Sequence, residues 1–81
     1  MLLRDDRFVS MTLTSDAKSG EWIGKPIRDL TLPADSLIAL IHRGGDTIFP
    51  RGRTVLREGD ELSIVGLPDA IEQLRQEFDL S

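Results

Sequence analysis

SLIALIHRGGDTIFP, Ser36 to Pro50, is the stretch whose reading decides the fold. Along an extended chain Leu37, Ala39 and Ile41 face one way and Ile38, Leu40 and His42 the other. Both faces are apolar at the start of the run, which predicts a central strand covered on two sides. Gly44-Gly45 supplies the positive φ values that tight hairpin turns demand, and Asp46 to Pro50 returns as an antiparallel partner. Pro50 has no N–H to give to a ladder, so the return strand ends there or runs along a sheet edge.

Upstream, RFVSMTLT (Arg7 to Thr14) sets Val9, Met11 and Leu13 against Phe8, Ser10 and Thr12, the period-two pattern of a half-buried first strand. SDAKSGEW reads as a loop, with Trp22 beside Ile23 anchoring it to the core. Lys25 to Leu30 suits a short helix, since Pro26 is tolerated at a first helical position and Pro33 follows closely. Downstream, Thr54 to Leu56 is a brief strand, Glu58-Gly59-Asp60 a turn, and Glu61 to Val65 a further strand with Leu62 and Ile64 on one face. PDAIEQLRQEF, Pro68 to Phe78, spaces Ile71, Leu74 and Phe78 as an amphipathic helix that covers one face of the sheet. The predicted class is α+β: a small, mostly antiparallel sheet with a short helix after the first strand and a C-terminal amphipathic helix packed on it.

The 81 residues suffice for one domain with a thin core. No cysteine is present to brace it, so dimerisation is a physical expectation. No apolar run reaches the length of a membrane span, and MLLRDDR lacks the apolar core of a signal peptide. Asp5 and Asp6 beside Arg4 and Arg7 form a mixed-charge lead-in, not a metal site, and no metal is expected elsewhere. With no cysteine or tyrosine and one histidine, there is little from which to build a nucleophile and base, so an enzyme is not expected. His42, at the end of an apolar strand, reads as structural or interfacial.

The net charge is −4, yet His42 to Arg57 holds Arg43, Arg51, Arg53 and Arg57 against Asp46, a local +3 that leaves −7 elsewhere. That balance argues against nucleic acid as a partner. The arginines either form the solvated rim of a hairpin or meet a small anionic ligand. Neither Gly44-Gly45 nor Arg51-Gly52-Arg53 has the spacing of a phosphate-binding glycine loop.

The succession SGEWIGKPIRDLTLPADSLIALIHRGGDTIFPRGRTVLREGDELSIVG, Ser19 to Gly66, resembles the C-terminal regulatory domain of potassium-conductance regulators, the RCK_C or TrkA-C domain. The shared features are a glycine and short helix ending in leucine (Gly24 to Leu30), an apolar strand running into arginine (Leu37 to Arg43), Pro50 closing the return strand, and Gly59, Asp60, Leu62, Val65 and Gly66 before the last helix. The likeness runs from about Phe8 to Phe78.

The resemblance implies a ligand-sensing, dimeric module at the cytoplasmic face of the cell membrane. Its partner would be the transmembrane part of a potassium channel, an uptake system or a cation/proton antiporter, in the same or another chain. IFPRGRTVLREGDEL looks most like the antiporter versions. Residues 1–81 would then be a single domain, with its core at about 8–78, belonging to a larger transporter and carrying no NAD or ATP site. Some relatives bind cyclic di-AMP across the dimer interface, and the positions matching that site, for this or another anionic nucleotide, are Ile38, Arg43, Ile48, Phe49 and Pro50, with Arg51 nearby. The dimer contact would use Ile38, Ile41, His42, Ile48 and Phe49. The alternative is a purely structural dimerisation module in which the arginines merely rim the contact.

Overall fold

The structure, a computed structural model, describes residues 6–80; Arg4 and Asp5 of the charged lead-in lie outside them. Alternation along the first segment produces β1 (Phe8–Thr12), whose Val9 and Met11 are buried while Phe8, Ser10 and Thr12 are exposed. The apolar run gives β2 (Ser36–Arg43), the return strand is β3 (Asp46–Ile48), and β4 (Glu61–Gly66) precedes the helix α1 (Pro68–Glu77). The strands form one antiparallel sheet in the order β1-β4-β2-β3. The last strand in the chain thus sits inside the sheet, where Leu62 and Ile64 are fully buried. Arg43 pairs with Asp46 across a two-residue turn, and Gly44 has φ +62° at its first central position, a conformation suited to a residue without a Cβ.

β2 departs from simple alternation. Ile38 pairs with Ile64 and Leu40 with Ser63, so Ala39 is the extra residue of a β-bulge. The bulge shifts the pleat by one, and Ile38 and Ile41, three residues apart, both turn into the core at 7% and 0% exposure. The expectation that Leu37, Ala39 and Ile41 share one face is corrected accordingly. The expected cover on both faces is also absent within the protomer, where Leu37 is 56% exposed.

One face of the sheet carries the core. Val9, Met11, Ile38, Ile41, Leu62 and Ile64 meet Ile71 and Leu74 of α1, and Leu13, Leu56, Trp22 and Phe78 complete the cluster. Trp22 and Phe78 meet edge to face with ring centroids 4.9 Å apart, so the loop is anchored as its tryptophan predicted. The buried Arg75 of α1 donates from Nη2 to the Phe8 carbonyl at 2.9 Å and ties the helix to β1. Gly66 closes β4 where the chain passes Asp35 and Ser36: a Cβ there would lie 2.6 Å from the Asp35 carbonyl oxygen.

The expected loop SDAKSGEW contains a 3-10 turn, Lys18–Trp22, and the expected short helix after Lys25 is a second one, Ile27–Asp29. Ser19 holds the first turn in place by donating from Oγ to the Thr12 carbonyl at 3.1 Å. The brief strand expected at Thr54 to Leu56 is a single bridge between Val55 and Pro26.

Candidate functional site

The arginine that ends β2 has a partner 17 residues further on. Arg43 donates from Nε to Asp60 Oδ1 at 2.9 Å and from Nη2 to Oδ2 at 2.8 Å, a bidentate pair. Nη2 also reaches the Val55 carbonyl at 3.0 Å, and the Arg57 N–H donates to Asp60 Oδ2 at 3.0 Å. Asp60 is wholly buried, whereas the Arg43 side chain keeps 25% of its exposure. Burial alone pushes the Asp60 carboxyl up. The Arg43 and Arg57 hydrogen bonds and the charges of both guanidinium groups outweigh it and hold the group below the ordinary carboxylate range. The same contact raises the Arg43 guanidinium.

This arrangement ties three segments at one point: the base of the β2–β3 hairpin, the Val55 segment and the turn that leads into β4. Asp60 is a turn carboxylate, as the Glu58-Gly59-Asp60 pattern suggested, and it also neutralises the arginine expected to face an anion. Arg43 is thereby held against the Val55 segment and the turn, with its side chain still partly exposed.

The other candidate residues divide by sheet face. Ile38 and Ile41 point into the protomer's own core and are withdrawn from its surface. Ile48 pairs with Ile41 and is half-buried against the core. Phe49, Pro50 and Arg51 follow consecutively: Phe49 is 74% exposed, Pro50 half-buried and Arg51 exposed. The Arg51 N–H donates to Thr54 Oγ1 at 3.0 Å, and the Thr54 N–H returns to the Arg51 carbonyl at 3.0 Å, so the backbone there is held in a closed turn. The hairpin end thus places an exposed aromatic ring two residues from an exposed arginine, the pairing that a flat, anionic ligand requires.

His42 is exposed on the uncovered face of the sheet, paired with Thr47 and Glu61. Phe8, Val65 and Leu37 form a cross-strand row on this face, with Leu37 and Phe8 well exposed. That is an apolar surface of the kind found at interfaces between chains. A separate open cleft of about 480 Å³ is lined by Ala34, Asp35, Leu67, Pro68, Asp69, Ala70 and Gln73. Its two carboxylates make it unsuitable for a nucleotide, and no expected site residue lines it. Among the described residues no group of three or more His, Cys, Asp or Glu converges to hold a metal. No helix among them is long and apolar enough to cross a membrane.

Sequence reasoning missed Asp60 as a partner of Arg43, because 17 intervening residues carry no signal of the contact. It also missed Lys25 and Arg28, which the fold brings beside the Arg51–Arg57 segment through the hydrogen bond from the Arg28 N–H to the Gly52 carbonyl at 2.8 Å.

Residues 8–79 match the TrkA-C domain family. A Trk system potassium uptake protein TrkA homolog of Archaeoglobus fulgidus is 47% identical over 55 residues, which are 68% of this chain and 13% of that protein. The K(+)/H(+) antiporter NhaP2 of Shewanella oneidensis is 34% identical over 56 residues, 69% of this chain and 10% of the antiporter. The chain therefore spans only a small part of the length of these relatives. Among solved structures, an RCK_C domain dimer of S. agalactiae BusR in complex with c-di-AMP shares the fold, with a TM-score of 0.67, 23% identity, and coverage of 93% of this chain and 99% of that one. The matched residues take in all four strands and α1, and the chain belongs to the TrkA-C domain family.

Proposed function

We propose that this chain is a ligand-sensing and dimerisation domain at the cytoplasmic face of a monovalent-cation transporter, of the cation/proton antiporter kind. In this reading two copies meet through the hairpin and the uncovered sheet face. Cyclic di-AMP, or another small anionic nucleotide, binds between them. Phe49 and Pro50 supply apolar walls for the base and Arg51 a cation for the phosphate, while Ile48 backs the wall from the core side. Arg43 and Ile38 shape the site from behind, the first through Asp60 and the second through the core. A ligand with two phosphates and two bases suits a two-fold interface, since each half meets the same residues.

The observation that carries the reading is Phe49, 74% exposed at the end of an edge strand and followed within two residues by the exposed Arg51. The c-di-AMP complex of a similarly folded RCK_C dimer, and the potassium uptake and antiporter relatives, support it. Signalling requires that the nucleotide bind two arrangements of the dimer with different affinity, because equal affinity would shift nothing. The second reading is a ligand-free dimerisation module. What favours it is the engagement of Arg43 by Asp60, which removes one cation from the anion's reach.

Titration calorimetry with cyclic di-AMP, ATP and inorganic phosphate, on the native chain and on Arg51→Ala, separates the two. The sensing role predicts heat with the cyclic dinucleotide that Arg51→Ala abolishes while the dimer persists. A dimer that gives no heat with any of the three establishes the second reading.

A further inference from the structure

The cations are concentrated more sharply in space than along the chain. Residues 24–28 and 51–57 contain Lys25, Arg28, Arg51, Arg53 and Arg57 and no carboxylate. The fold lays the two segments side by side. The Gly24 N–H donates to the Leu56 carbonyl at 2.8 Å and the Leu56 N–H to the Lys25 carbonyl at 3.0 Å. The Ile27 N–H then reaches the Thr54 carbonyl at 3.0 Å, and the Arg28 N–H the Gly52 carbonyl at 2.8 Å. All five cations are exposed, and among the described residues none of their side chains forms an ion pair. In their midst Val55 is 46% exposed, while its neighbour Leu56 is fully buried and fastens the ribbon to the core. Asp29 and Glu58 flank the ribbon's ends, and Glu58 accepts hydrogen bonds from the Ser15 hydroxyl and N–H. A net charge of −4 with +5 here leaves −9 on the rest of the chain.

We infer that this ribbon docks the domain on an anionic lipid bilayer. Five exposed cations on two adjoining segments, of which only Arg57 also feels the buried Asp60 carboxylate, repel one another and are stabilised by a counter-surface dense in phosphate. A bilayer supplies it in a plane, and its mobile headgroups gather beneath a flat patch. An exposed valine and the aliphatic stems of lysine and arginine fit the headgroup boundary. The acidic remainder does not prevent approach. Screening at physiological salt extends about 8 Å, whereas the protein measures 36 × 24 × 23 Å. With the ribbon against the surface, the far-side carboxylates lie beyond that distance, and the opposed charges orient the domain. Duplex DNA fits less well, because the ribbon offers no helix or long strand pair to enter a groove and the curved polyanion would draw phosphates toward the acidic flanks. Where Arg51 is engaged by the nucleotide proposed above, Lys25, Arg28, Arg53 and Arg57 remain for the bilayer, so the inference does not depend on a nucleotide at Phe49 to Arg51.

Vesicle co-sedimentation tests it, using phosphatidylcholine alone and phosphatidylcholine mixed with phosphatidylglycerol, at low and at high salt. The native chain should partition onto the anionic vesicles at low salt, lose most of that partitioning at high salt and ignore the neutral ones. Charge reversal by Lys25→Glu with Arg53→Glu, at two exposed positions away from the core, should lower the partition constant at least about tenfold. Lys18→Glu, on the first 3-10 turn, should leave it within about twofold, a single exposed charge outside the ribbon. Equal partitioning onto the two vesicle types, an unchanged constant for the double variant, or tighter retention by duplex DNA than by anionic vesicles at the same salt would overturn the inference.

Discussion

Replacing Asp60 with asparagine tests the clamp that holds the hairpin in position. Asp60→Asn keeps the size of the side chain but removes the charge, leaving Arg43 without its counter-ion and forcing an amide N–H₂ toward donors. Breaking a fully buried pair costs about 3–5 kcal/mol. The Arg43 side chain retains 25% exposure and can recruit water, and the asparagine oxygen still accepts one hydrogen bond, so the cost falls to or below the bottom of that range, about 2–3 kcal/mol. At about 4–8 °C per kcal/mol for a domain of this size, the melting temperature at pH 7 should fall by about 10–20 °C. Circular dichroism melts and urea titrations read this directly.

Arg43→Met should cost more, about 3–5 kcal/mol, because it strands a carboxylate with no exposure. The double variant should then be more stable than the sum of the single losses predicts, by at least about 1 kcal/mol, since the two residues act as one unit. The pH dependence follows from the direction of the Asp60 shift. A carboxyl held below its ordinary value contributes stability that is fully present above the unfolded pKa of about 4 and is lost as pH falls through the lower folded value. The gap between native and Asp60→Asn proteins should therefore be constant from neutrality to about pH 5 and narrow on further acidification. An Asp60→Asn protein within about 0.5 kcal/mol of native, or strict additivity in the double variant, would refute the clamp.

Other expectations concern the sheet and the hairpin end. Gly66→Ala brings a Cβ to 2.6 Å from the Asp35 carbonyl oxygen, and urea titration should show a loss of about 1–3 kcal/mol. Deleting Ala39 removes the extra residue of the bulge and leaves Ile38 and Ile41 two positions apart, still opposite Ile64 and Leu62 on the core face, so the product should keep cooperative thermal unfolding; loss of a cooperative melt would contradict the register. Phe49→Ser alters a side chain that is 74% exposed, so protomer stability should change by no more than about 0.5 kcal/mol while the sedimented mass falls from dimer toward monomer.

Elements with a strong local period were legible from residue order alone. Val9 and Met11 alternate without interruption in β1, and Ile71, Leu74 and Phe78 recur at helical spacing, so both buried faces follow from the pattern. β2 also reads as an interior strand from its composition, but its bulge does not, because Leu37 to His42 offers apolar residues in both phases and only pairing with β4 selects one. The 3-10 turn at Lys18–Trp22 has too few residues for a period and is fixed by Ser19 and Trp22. At the site, Phe49 to Arg51 was visible as an apolar residue and a cation beside a proline. The Arg43–Asp60 pair and the approach of Lys25 and Arg28 to residues 51–57 are products of chain folding, written in no local motif.

Sedimentation combined with titration of cyclic di-AMP addresses the functional proposal most directly. Ligand sensing between two copies predicts a dimer that binds one nucleotide per pair of chains, with binding lost in Arg51→Ala. A chain that stays monomeric at high concentration and takes up no nucleotide would contradict it.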